Sequence, residues 1–208
     1  MLSRLRTVMT RVFTPIATFL LRRGVSPDAV TVAGTLGVVV AALVLFPRGY
    51  LLAGALVLGL LALSDLVDGI MARSSGRASP WGAFLDSTLD RFGDAAIFCG
   101  LLLYLEGPGD DRVGAALALA CLVLGSVVPY TRARAEGLGM TASVGIAERA
   151  DRLAAVLVAT AVVGVGAPGV VLTVVLGLLA VASAVTVVQR MATVRRQAAT
   201  RSATGEAP

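Results

Sequence analysis

The sequence predicts an all-α integral membrane protein: six transmembrane helices preceded by an N-terminal amphipathic helix at the membrane interface. Three observations carry this. The chain is 57% apolar, with a mean hydropathy of +0.87, beyond the usual range of a soluble domain. Its apolar residues gather into runs near the ~20 residues that a bilayer crossing needs. Pro, Gly and charged residues punctuate those runs. At 208 residues the chain fits one domain. Residues 1–24 form the juxtamembrane helix, 25–190 the six-helix body, and 191–208 a basic cytoplasmic tail expected to be disordered.

Leu5, Val8, Val12, Ile16 and Phe19 recur at helical spacing, with Arg4, Arg6, Arg11, Arg22 and Arg23 around them. This pattern suits a helix lying on anionic lipid. Pro15 and the closing arginines, with no small-residue cleavage site, separate it from a signal peptide. Ser26-Pro27-Asp28 is a helix start, with a capping Ser, a first-turn Pro and an acid at the positive helix end. It opens a span over 29–46, and Pro47-Arg48-Gly49 turns the chain. The second span covers 51–71, the polar loop 74–80 follows, and the third span covers 81–105. A short acidic turn leads to the fourth span, 113–130. A polar segment reaches Arg152, and the fifth and sixth spans cover 153–166 and 170–188. Six crossings put both termini on one side. That side collects nearly all the arginines outside the spans, against Arg48 and Arg112 on the other. By the positive-inside rule the Arg-rich face is cytoplasmic, which suggests a multi-pass protein of a bacterial plasma membrane. Membrane lipids are the expected surroundings, and no nucleic-acid partner is expected.

Every basic residue is Arg, and the chain has neither Lys nor His. General bases, nucleophiles and metal ligands of those two types are therefore excluded. Cys99 and Cys121 stand alone in apolar runs, as small buried hydrophobes do, with no disulfide framework or zinc spacing.

The acids are concentrated. Asp65 and Asp68 are spaced i, i+3 near the end of the second span, and Asp86 and Asp90 are spaced i, i+4 at the start of the third. Each pair shares one helical face, and the short loop between the spans lets the pairs confront each other. So many negative charges in a partly dry volume require either protons or cations. Oxygen donors favour a hard cation such as Mg²⁺ or Mn²⁺. Simple pairing with Arg73, Arg77 and Arg91 explains one or two acids but not two converging pairs. An ion-transport path fits poorly, because the span centres are apolar. Gly69 beside Asp68 and Gly82 one turn before Asp86 permit close approach of a ligand or a helix.

The pattern Asp65-x-x-Asp68-Gly69-x-x-Ala72-Arg73, eight residues, then Gly82-x-x-x-Asp86-x-x-x-Asp90 resembles the CDP-alcohol phosphotransferase signature at every fixed position. That resemblance implies a six-helix enzyme that transfers a phosphatidyl group from a CDP-linked lipid to an alcohol and releases CMP, with two divalent metals. It implies that Asp65 and Asp86 bridge both metals, that Asp68 binds one and Asp90 the other, and that Asp90 is also the general base. Arg73 would hold a nucleotide phosphate, Gly69 would leave room for the nucleotide, and Asp28, Ala29, Val30, Thr31 and Ser79 would add contacts. The family also implies a homodimer.

Arg132, Arg152 and Arg190 come from three helix ends on the cytoplasmic side. Topology alone accounts for part of this cluster, and convergence on one anion accounts for the rest. Y-T-R-A-R-A-E-G (130–137), G-I-A-E-R-A-D-R-L (145–153) and V-Q-R (188–190) resemble the actinobacterial phosphatidylinositol phosphate synthases. The implied reaction joins CDP-diacylglycerol and inositol 1-phosphate, with these three arginines on the acceptor phosphate. Glycerol 3-phosphate as acceptor, giving phosphatidylglycerophosphate, is the alternative within the family. An ion-binding membrane transporter is the alternative outside it.

Overall fold

The structure is a computed structural model. It describes residues 2–62, 64–74, 79–146 and 148–204, with side chains from residue 12 onward except 64–66 and 202–204. The described residues form helices only, in the order α1 (Leu2–Arg22), α2 (Pro27–Leu45), α3 (Leu51–Leu61), α4 (Ser64–Ser74), α5 (Pro80–Glu106), α6 (Arg112–Glu136), α7 (Arg149–Gly164) and α8 (Val170–Thr204). Among them α2, α6 and Val170–Arg201 of α8 are long and apolar enough to cross a membrane. The structure is thus that of an all-helical membrane protein.

The helix starts follow local chemistry. Ser26 caps α2, its Oγ accepting from the Ala29 N–H at 3.2 Å, and Pro27 follows at the first position. Ser79 caps α5 in the same way through the Gly82 N–H at 3.0 Å, ahead of Pro80. Asp111 caps α6 through the Gly114 N–H at 2.8 Å. Each cap satisfies one of the donors that a helix N-terminus leaves open.

The core lies between α2, α3, α5, α6, α7 and α8, around Phe46, Leu58, Phe98, Leu101, Leu172 and Leu176. Two glycines let backbones touch within it. Gly100 of α5 lies against the Ala42 carbonyl of α2, and Gly164 of α7 against the Leu52 backbone of α3. A side chain at either position would force the helices apart, as in small-residue packing between membrane helices. A smaller cluster joins α1 to α4 through Ala17, Phe13, Val67, Ile70 and Met71. Val12, Ile16 and Phe19 of α1 stay exposed, whereas the side chains of Leu5 and Val8 lie outside the described residues.

Two expectations are corrected. The second apolar run, 51–71, is two helices. α3 ends at Leu61, with the Ala62 N–H still bonding back to Leu58 O at 2.9 Å, and α4 starts at Ser64. α3 packs on α2 and α7, whereas α4 packs on α1 and α2. Across the break α2 remains a neighbour, and α7 is exchanged for α1 beside the acid-bearing turn. The segment expected as a disordered tail continues α8 as far as Thr204. It has a tertiary anchor: Gln197 Nε2 donates to Thr141 O at 2.6 Å, its Oε1 accepts from the Thr141 N–H at 3.0 Å, and Arg201 Nη1 donates to Leu138 O at 3.2 Å.

Candidate active site

Three helix segments enclose a cavity of about 340 Å³. α2 contributes Asp28 and Thr31 from its first turns. α4 contributes Asp68, Gly69 and Arg73, and the start of α5 contributes Ser79, Gly82 and Asp86. Thr31 Oγ1 donates to Asp68 Oδ2 at 2.6 Å and so ties α2 to α4. Asp68 is only 6% exposed, and a charge-assisted bond of this length offsets part of the cost of burying a carboxylate. A Cβ at Gly69 would stand 3.3 Å from Arg73 Nη1. The Arg73 guanidinium therefore folds back over Gly69, one turn along the same face. A Cβ at Gly82 would meet Ser79 Oγ at 3.5 Å and Asp28 Oδ1 at 3.7 Å, so the missing side chain keeps this wall open.

Asp90, one turn beyond Asp86, turns away from this cavity. Its Oδ1 pairs with Arg149 Nη1 of α7 at 2.9 Å, and its Oδ2 stands 3.6 Å from Arg91 Nη2. It walls a second, largely apolar cavity, also about 340 Å³, with Arg149, Val38, Leu58, Ile97 and Leu157. Asp65 is on α4, but its side chain lies outside the described residues, as does Arg77. Among the described residues no three acids are gathered into a metal cage. The donors themselves fit a hard divalent cation: Asp68 and Asp86 share one cavity wall, and only carboxylate and hydroxyl oxygens compete there for a metal.

Of the expected nucleotide contacts, Asp28, Thr31, Gly69, Arg73 and Ser79 all line the first cavity, whereas Ala29 and Val30 do not. The Ala29 N–H is used by the Ser26 cap, and Val30 packs on the α1–α4 cluster.

The three arginines expected around one anion divide between two neighbourhoods. Arg190, 7% exposed, donates through Nε to Val144 O at 2.9 Å and through Nη1 to Val128 O. Arg132 stands within electrostatic reach of it, with Glu136 and Glu148, and Arg132 Nε pairs with Glu136 at 2.9 Å. Arg152, 2% exposed, instead faces Asp94 of α5, with Nη2 3.7 Å from Oδ2, and is grouped with Arg91 and Arg149. Arg149 belongs to the same basic cluster in the sequence but is given no role there. It pairs with Asp94 as well as Asp90, through Nε to Asp94 Oδ1 at 2.9 Å. Its spacing from Arg152, i and i+3 at the start of α7, against Asp90 and Asp94 at i and i+4, was the available signal. Both cysteines are free thiols, and buried Cys121 bonds Leu176 O at 3.3 Å.

Residues 24–147 match the model of the CDP-alcohol phosphatidyltransferase family. The chain belongs to that family. Its relatives in the family include a phosphatidylinositol phosphate synthase of Streptomyces avermitilis, 52% identical over 93% of this chain and 82% of that one. Another from Cutibacterium acnes is 50% identical over 94% of this chain and 98% of that one. The fold superposes on the crystal structure of the Mycobacterium tuberculosis phosphatidylinositol phosphate synthase with CDP-DAG bound. The TM-score is 0.85 at 45% identity, covering 88% of this chain and 94% of that one. The same mycobacterial enzyme in complex with manganese and citrate matches with a TM-score of 0.84, covering 88% of each chain. In this CDP-alcohol phosphatidyltransferase, Asp68 and Arg73 of α4 and Asp86 of α5 line one cavity.

Proposed function

We propose that this membrane enzyme transfers the phosphatidyl group of CDP-diacylglycerol to a hydroxyl of inositol 1-phosphate, giving phosphatidylinositol phosphate and CMP. One observation carries the reading. Residues that the family signature fixes on two different helices, Asp68, Gly69, Arg73, Gly82 and Asp86, meet on one cavity, in a chain about half identical to synthases of that name.

The cavity accepts the cytidine diphosphate moiety. Arg73 holds a phosphate through its planar fork of donors, Gly69 leaves the space for it, and Asp28, Thr31 and Ser79 offer polar contacts. Asp65, Asp68, Asp86 and Asp90 would hold two divalent cations, Mg²⁺ or Mn²⁺, which when bound neutralise the pyrophosphate and the leaving phosphate. Asp90 accepts the proton of the acceptor hydroxyl. That oxygen forms a bond to the phosphorus bearing the diacylglycerol. The bond from this phosphorus to the bridging oxygen breaks, and CMP departs with the oxygen. With no His or Lys in the chain, a carboxylate is the natural proton acceptor. Arg132 and Arg190 hold the acceptor's phosphate, and Arg152 supports the site from within the helix packing through Asp94.

The reading extends to topology. α2, α3 with α4, α5, α6, α7 and α8 make six crossings. α1 lies at the cytoplasmic interface, where exposed Val12, Ile16 and Phe19 meet lipid and Arg22 and Arg23 meet headgroups. Both termini and the active site face the cytoplasm of a bacterial cell, and the protein works as a homodimer.

The test is CMP release from CDP-diacylglycerol by the purified protein with Mg²⁺, with inositol 1-phosphate, free inositol, glycerol 3-phosphate and serine compared as acceptors. Turnover with inositol 1-phosphate alone supports the proposal. Turnover with glycerol 3-phosphate instead keeps the aspartate chemistry and sinks the acceptor assignment. An intact, metal-binding protein that releases no CMP sinks the whole reading.

A further inference from the structure

The arginine that opens α7 makes two carboxylate contacts at once. Arg149 Nη1 is 2.9 Å from Asp90 Oδ1, and Nε is 2.9 Å from Asp94 Oδ1. Asp90 and Asp94 are successive turns of one face of α5, so a single planar guanidinium spans both. A lysine ammonium is a point charge and does not reproduce that fork. Asp94 is 6% exposed and has Arg152 on its other oxygen at 3.7 Å, so it is a fixed post. Asp90 is the more open partner and walls the apolar cavity together with Arg149. Apolar surroundings strengthen such a pair relative to water.

The segment that presents Arg149 is itself fastened. The Ile146 N–H donates to Thr186 Oγ1 at 3.2 Å, and Arg190 Nε donates to Val144 O at 2.9 Å. Contacts from α8 thus fasten residues 144–146, a few residues before Arg149, and Arg149 in turn contacts Asp90.

We propose that Arg149 is a positioning residue for Asp90, anchored by Asp94, and that it couples the orientation of this carboxylate to the 144–146 segment beside Arg190. The inference rests on the assignment of Asp90 as proton acceptor and metal ligand. Arg149 itself holds a carboxylate rather than a reacting atom. Residues that orient a ligand or a base in this way commonly cost about 10- to 100-fold in activity when changed.

The experiment uses the full-length protein in detergent with Arg149→Lys, Arg149→Met, Asp94→Asn and the Arg149→Met/Asp94→Asn double variant. CMP release is read as kcat and donor KM, CDP binding is measured directly, and Mn²⁺ affinity is measured without lipid. In the expected result kcat falls about 10- to 100-fold in each single variant, while donor KM and CDP affinity stay within about threefold. The double variant is no slower than the slower single one, because the two residues act as one unit. Mn²⁺ binds more tightly to Arg149→Met, which has lost a cation beside Asp90, and a residue with only a packing role would not produce that. CDP binding is the folding control, since Arg149 does not line the nucleotide cavity, and Arg149→Lys is the milder variant should Arg149→Met not fold. The proposal is overturned if kcat of Arg149→Lys and Asp94→Asn stays within about twofold, if the two losses multiply, or if Mn²⁺ affinity is unchanged. An unaltered protein that releases no CMP refutes the transferase reading, and the Mn²⁺ comparison still decides whether Arg149 and Asp90 are paired.

Discussion

Gly69→Ala separates what the nucleotide cavity needs from what helix α4 prefers. Within a helix, Ala is favoured over Gly by about 0.5–1 kcal/mol, because glycine loses more backbone freedom on folding. On stability alone the substitution is favourable, and for a chain of this size that corresponds to roughly 1–4 °C in Tm. The added methyl lies 3.3 Å from Arg73 Nη1, 3.6 Å from Nη2 and 3.8 Å from Cζ. The first contact is tight, so the guanidinium moves by a few tenths of an ångström, and the methyl also takes space from the cavity. If Arg73 donates to a phosphate of the nucleotide, that shift weakens a charge-assisted hydrogen bond worth about 1.5–3 kcal/mol. At 1.4 kcal/mol per factor of ten, full loss weakens CDP binding by about 10- to 150-fold. Calorimetric CDP titration and thermal unfolding, both in detergent, measure the two quantities on one sample. The expected signature is unchanged or raised Tm with weakened CDP binding. A Gly69→Ala protein that binds CDP as tightly as the unaltered one refutes the placement of Arg73 on the nucleotide. One that melts lower refutes the helix argument.

Three further outcomes follow from the same geometry. Asp90→Asn should abolish CMP release while CDP still binds, because Asp90 stands outside the nucleotide cavity; parallel turnover and binding measurements check this, and lost CDP binding would contradict it. Chelation with EDTA should stop CMP release, and added Mg²⁺ or Mn²⁺ should restore it; turnover that survives exhaustive chelation would remove the aspartates' assigned purpose. At the opposite end of the bundle, the Asp111 carboxyl is held below the usual carboxylate range by the Gly114 N–H first and the Thr173 hydroxyl second. A carboxyl whose folded pKa is depressed stabilises the fold fully above its unfolded pKa of about 3.9, and that contribution is lost as pH falls further. Asp111→Asn, which still caps α6 but carries no charge, should lower thermal stability near pH 7, approach the unaltered protein in acid and so flatten the acid-induced loss below about pH 4; an unaltered acid slope would show that the cap does not titrate with folding.

What sequence disclosed and what it concealed divide along the range of the interactions involved. Ser26, Ser79 and Asp111 act on N–H groups three residues ahead, so these helix starts are written locally. The Asp68–Asp86 wall is nearly as local, because one loop joins its two helices. The break at Ala62 leaves no such mark. Residues 51–63 are apolar and contain no Pro, and Gly59, three residues before Ala62, repeats Gly54 inside α3 and so marks no boundary; what distinguishes the two helices is their packing, α3 on α7 and α4 on α1. The helical course of α8 beyond 191 was hidden in the same way, since its anchors Leu138 and Thr141 lie some sixty residues upstream. Choosing which arginine meets which carboxylate is the hardest case. Arg149 reaches Asp94 across 55 residues, and charge counts do not distinguish it from Arg152. Yet two patterns were present together: a carboxylate ladder at i, i+4 on α5 and an arginine ladder at i, i+3 on α7. Carboxylates and guanidinium groups taken out of water cost least when they meet one another, and here Arg149 spans both Asp90 and Asp94 while Arg152 faces Asp94. On that principle Arg149 and Arg152 belong first to Asp90 and Asp94, and Arg132 and Arg190, whose surroundings are carbonyls and glutamates, are the ones left for an external anion.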